Sequence, residues 1–188
     1  MSALMRLSTL RHTRVAALIA AVALAVPSTA VAQQRLPPMR VFATAQGDNA
    51  RADTLERWAA SMYDARWQWP NAARLHERAA LLRGYAPRAV ASWRMSAWLY
   101  SAADNNGRAR TMMKRAAASA AAGGDVERAA NSYIDAILLA MEARRPEPVP
   151  GLLVKTRAVL HSPLLPAERR EAILRRVGED SRLASLSF

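Results

Sequence analysis

Three imidazoles occur in the chain, His12, His76 and His161, so acid–base or metal chemistry near neutral pH has few groups to draw on. His12 leaves with the N-terminal segment described below. His76 occupies a packing position in a helical run, which favours a core role over a metal ligand. His161 precedes "SPLLP", where an imidazole can serve a helix C-terminus. No His–Glu–His spacing for zinc, no Gly-rich phosphate loop and no nucleophile elbow occurs. Cysteine is absent, which excludes disulfides, thiol metal sites and lipid attachment through an N-terminal Cys. Paired carboxylates could serve glycan hydrolysis, but the 15 acids are scattered over helix ends and charged faces. None reads as lying in an apolar setting that would raise its pKa. These residues point away from an enzyme, a metal site and a cofactor.

The elements that would position any site begin after an export signal. "MSALMRLSTLRHTR" is basic through Arg6, Arg11 and Arg14 and carries no acid. The apolar run 15–26, "VAALIAAVALAV", follows, and Pro27 ends it. As a helix it would span about 18 Å, against roughly 30 Å of bilayer core. "AVA" at 30–32 supplies the small residues a signal peptidase needs. Residues 1–32 therefore read as a cleavable signal peptide, cut after Ala32, with no transmembrane span left and a periplasmic or secreted destination.

The net charge of +12 becomes +9 when the three arginines of residues 1–32 are removed. Outside the cytosol the available anions are acidic proteins, lipid headgroups and cell-wall polymers, so no nucleic-acid partner is expected. A compositional preference for Arg accounts for the excess better, since only Lys114 and Lys155 are Lys.

Ala, Leu and Arg dominate and favour helices. Residues 33–50, with two adjacent prolines and no helical period, read as a flexible leader. From Asp53, Leu55, Trp58, Ala59 and Met62 fall on one helix face. Further helical runs follow over about 70–83, 88–103, 107–122, 126–145, 151–161 and 166–177. They are separated by turns such as "DNNG", "GGD" and "RPEPVPG". Asp125 is placed to cap the run that begins at Val126. The fold class is all-α: antiparallel helix hairpins stacked over residues 51–178, with a loose tail at 179–188.

Two stretches repeat at one offset. Tyr63, Ala72, His76 and Ala79 recur as Tyr100, Ala109, Met113 and Ala116, each 37 residues later, together with Ala60/Ala97 and Arg78/Arg115. Small Ala residues let helices approach, and Tyr, His or Met fills the space between neighbouring hairpins. The second copy resembles the tetratricopeptide repeat. Trp93, Ala97, Tyr100, Ala109, Met113 and Ala116 stand where that family has Trp, Gly, Tyr, Ala, an aromatic and Ala. Ser96 replaces the family's frequent Leu, and the first copy has Glu56 at the Trp position. A third Ala–aromatic–Ala triplet, Ala129, Tyr133 and Ala136, follows only 20 residues after the second, out of phase.

The resemblance implies a groove lined by the first helices of successive hairpins, holding an extended or helical peptide. Carried onto this chain, the groove would present Arg57, Ser61 and Asp64, then Arg94, Trp98 and Ser101. Trp98 lies opposite the Val90–Trp93–Ala97–Tyr100 stripe, beside Met95, Leu99 and Ala102. It is either buried on a second side or open to that groove. An Arg beside a Trp can clamp a carboxylate while the ring stacks an apolar side chain. The expected function is a non-enzymatic protein or peptide interaction module of the cell envelope. A basic binder of anionic lipid or cell-wall polymer is the first alternative, and a wall-acting enzyme the second.

Overall fold

The computed structural model describes residues 45–188. The expected signal peptide, its cleavage after Ala32 and leader residues 33–44 lie outside the described residues.

Among the described residues the chain forms seven α-helices, one 3-10 turn and no strand. They are α1 (Ala45–Ala60), the 3-10 turn (Arg66–Gln68), α2 (Trp69–Arg83), α3 (Pro87–Ala102), α4 (Asn106–Ala122), α5 (Val126–Glu142), α6 (Val149–Leu160) and α7 (Ala167–Glu179). Local chemistry explains the boundaries. Pro70 and Pro87 stand in the first turns of α2 and α3, where a missing N–H costs no hydrogen bond. Asn105 and Asp125 cap α4 and α5 by accepting from the backbone N–H of Arg108 and Arg128, at 3.2 and 3.0 Å. In the "DNNG" turn Asp104 takes φ of 59°, a left-handed conformation that a short polar side chain tolerates. The Asn105 N–H then donates to the Tyr100 carbonyl at 2.8 Å and closes the end of α3.

Each helix from α1 to α5 packs against the next, and α7 contacts α5. Longer side chains skip one helix. Ser92 of α3 donates to Glu56 of α1 at 2.5 Å, Arg94 of α3 donates to Asp135 of α5 at 3.2 Å, and Arg176 of α7 donates to Asn131 of α5 at 2.6 Å. On the even-numbered helices Arg115 of α4 meets Glu77 of α2 at 2.8 Å. Odd helices are thus tied to odd, and even to even. The 37-residue offset recurs in the starts of α2 and α4, at Trp69 and Asn106. Ala72, Ala79, Ala97, Ala109 and Ala116 are all fully buried, as close helix approach requires. The out-of-phase triplet Ala129, Tyr133 and Ala136 is buried on α5, a helix that Asp135 and Asn131 tie to α3 and α7.

Three expectations need correction. Helix α1 begins at Ala45, so residues 45–50 belong to it and not to the leader. Trp58, which shares a helix face with Ala59 and Met62 in the sequence pattern and is expected to be buried with them, is 37% exposed. Ala52, Ala59 and Met62 form the buried stripe instead, because among the described residues α1 ends the array and packs chiefly on α2. The tail at 179–188 is docked rather than loose. Leu183 is buried, Leu186 and Phe188 pack on the apolar cluster of α5–α7, and Arg182 joins Glu142 at 2.9 Å. Spaced by serines, those three apolar residues show no helical period, yet together they cover the end of the cluster.

Candidate functional site

On the outward side of α3 a groove of about 750 Å³ opens to solvent. Helix α3 supplies Ala91, Arg94, Met95 and Trp98, which fall at helical spacing along one face. Met113 of α4, Arg128 of α5 and Tyr63, just after α1, complete the lining. Trp98 is 55% exposed and Met95 39%. The choice left open for Trp98 is resolved: its ring faces solvent, whereas the neighbouring Leu99 is fully buried.

Trp98 is backed by a second indole. Its ring centroid lies 6.0 Å from that of Trp69, tilted by 43°. Trp69 is itself fixed, because its Nε1–H donates to the Tyr63 carbonyl at 2.8 Å. The Arg66 guanidinium sits 5.5 Å above the Trp69 ring, in range for a cation–π contact. Trp67 alongside is 76% exposed. Arg94 is held by Asp135, whose carboxyl is pushed up by burial, with Arg94 and Arg176 pulling the other way. That corrects the expectation that no acid sits where its pKa would rise. Arg128 pairs with Asp125 at 3.5 Å, both well exposed.

A second, shallower depression of about 600 Å³ adjoins Tyr63 and is lined by Asp53, Glu56, Arg57, Ala60 and His76. Arg83 anchors its floor, donating to Glu56, Asp53 and the Ser92 hydroxyl. Burial would raise the Glu56 carboxyl, but hydrogen bonds from Arg83 and Ser92 hold it below the usual carboxylate range. His76 is 5% exposed, in agreement with a core role. Burial lowers its pKa, Glu56 raises it and Arg83 lowers it further, leaving it below the usual imidazole value. The ring stacks on Tyr63, with His76 Nε2 hydrogen-bonded to the Tyr63 hydroxyl at 2.5 Å. Glu56, His76 and Tyr63 thus form a line, with 3.9 Å between Glu56 and His76 Nδ1. Burial and Glu56 raise the Tyr63 pKa, the reverse of what a phenolate nucleophile needs. The line orients Tyr63 and does not activate it.

Of the six expected groove residues, Arg94 and Trp98 come together. Arg57 lines the neighbouring depression. Ser61 is exposed but turns back to donate to the Trp58 carbonyl at 2.7 Å, and Asp64 is exposed beyond the helix end, in neither lining. Ser101 is half-buried and donates to Asn106 at 3.1 Å. Extending the helical stripe through Trp98 would have found Ala91 and Met95. Tyr63 and Met113 carried a signal only as packing positions, and Arg128 belongs to the hairpin whose phase was broken. His161 ends α6, with Nδ1 2.9 Å from the Arg157 carbonyl, as expected of a helix C-terminus.

Among the described residues no group of three or more His, Asp or Glu could hold a metal ion, and no helix is long and apolar enough to cross a membrane. No known protein family, curated protein or solved structure matches the chain.

Proposed function

We propose that this protein is a non-enzymatic interaction or assembly module, exported to the cell envelope, which holds a segment of a partner protein in the groove over α3. A short tetratricopeptide-like array is the architecture that fits this reading. The ties of odd helix to odd and even to even support it, as do the buried alanines at the repeat positions.

One observation carries the functional reading. Trp98 is a large ring left 55% open to water in a largely apolar lining, yet it is backed by a fixed second indole tilted against it. Leaving so much apolar surface in water forgoes about 1.5–3 kcal/mol of burial, which a bound partner recovers. Two groove methionines, Met95 and Met113, add adaptable contact surface.

Photo-crosslinking tests the reading. A crosslinking side chain placed at Ala91, in the groove, is expected to capture one defined envelope protein. The same group at Leu81, exposed on α2 and outside the groove lining, should not capture it. Equal capture from both positions, or capture of lipid or wall material alone, would overturn the proposal.

A further inference from the structure

We infer that the segment held over α3 is acidic and carries a large apolar or aromatic side chain beside its carboxylates; this rests on the peptide-groove reading above. The lining contains two guanidinium groups, Arg94 and Arg128, and no carboxylate. A third, Arg66, lies outside the lining, over the indole that backs Trp98. Trp98, Met95 and Met113 form the apolar floor between these charges.

The two groove arginines differ in how they are held. Arg94 bonds through one Nη to the mostly buried Asp135, so it is a positioned donor whose charge is largely answered. Arg128 faces Asp125 across 3.5 Å with both side chains over 40% exposed. Such a surface pair is worth little, so exchanging Asp125 for a ligand carboxylate carries a small penalty. Arg128 therefore supplies most of the acid preference and Arg94 fixes direction. A basic peptide would meet like charge, and a neutral one would leave Arg128 with only its exposed Asp125 pair. A lipid surface presents its anions in a plane, whereas these groups surround a concave floor of ring and thioether.

The test titrates the full chain, by calorimetry and Trp emission, with synthetic peptide pools of equal length. The pools are acidic–aromatic, neutral–aromatic, basic–aromatic and acidic without apolar residues; anionic lipid vesicles are titrated in parallel. The acidic–aromatic pool is expected to bind at least about tenfold tighter than any other. Arg128→Gln should remove most of that preference, and Trp98→Ala should abolish binding, with helicity unchanged in both. An Arg94→Gln/Asp135→Asn variant, which removes the charge pair together, should weaken acidic peptides without unfolding the chain. If neutral and acidic aromatic pools bind equally and Trp98→Ala still abolishes both, the acid preference is wrong and the groove reading stands. If vesicles bind while no pool does, or binding survives Trp98→Ala, both fall.

Discussion

Between α1 and α3 the interior is crossed by charge, and between α5 and the C-terminus by hydrocarbon. Arg83 reaches from α2 into Glu56 and Asp53 of α1 and Ser92 of α3, with the His76 ring and Tyr63 beside it. Ile134, Ile137, Leu152, Leu160, Leu165, Ile173, Val177 and Leu183 instead form one apolar cluster. Hydrocarbon burial is non-directional and draws in whatever apolar surface is near, which is why the tail docks there. A hydrogen-bonded hub is directional. It sets α1, α2 and α3 in one arrangement without needing the outward face of α3 to be covered. The open aromatic groove lies in the half that is held by polar ties.

The contrast can be broken by mutation, starting at the apolar end. Ile137→Ala should lower unfolding free energy by about 4 kcal/mol, measured by urea denaturation. A loss under 1 kcal/mol, on the order of a surface substitution, would show that the cluster is not what holds the C-terminal half. Arg83→Met should cost about 3 kcal/mol, the lower end for a broken buried pair because Asp53 and Glu56 keep contact with water. Adding Glu56→Leu should recover much of that loss, since removing both charges leaves neither stranded. No recovery would mean that Arg83 acts by packing.

Acid should separate the halves next. His76 is depressed below its ordinary 6.5, so its neutral form contributes stability above that pH, lost as pH falls through the folded pKa. Glu56, held below its ordinary 4.5, adds a second loss at lower pH. Asp135 works oppositely: its folded pKa lies above the ordinary 3.8, so protonating it relieves a burial penalty as pH falls. All five Trp, from Trp58 to Trp98, lie in the N-terminal half. Trp emission should therefore report weakening from about pH 6.5 downward, by less than about 1.4 kcal/mol per pH unit. His76→Gln should flatten the upper part of that profile. The smallest effect is expected from Trp98→Ala, within about 0.5 kcal/mol of wild type, because the ring already faces water.

Helical periodicity made α2 to α7 legible to within a few residues but began α1 at Asp53 rather than Ala45, and Asn105 and Asp125 sat where their caps were needed. Of the alanines at the offset of 37, Ala72, Ala79, Ala97, Ala109 and Ala116 are buried, whereas Ala60 is exposed. Long-range polar pairing was not legible. Arg83, last in its helix, reads as an exposed cation at a helix C-terminus, yet its partners are 9 to 30 residues away. Asp135 reads as a solvated charge for the same reason, since its burial depends on α3 and α7 closing over α5. Of the seven lining residues, Arg94 and Trp98 were visible as a pair. The rest required knowing that Arg128 faces the groove, which the broken phase concealed.

The most direct measurement is hydrogen exchange of the full chain with and without a saturating acidic–aromatic peptide. Protection should rise on α3, at the end of α1 and in the first turns of α5, while α6 and α7 exchange as before. Protection spread over α6 and α7, or absent throughout, would contradict a peptide-holding groove over α3.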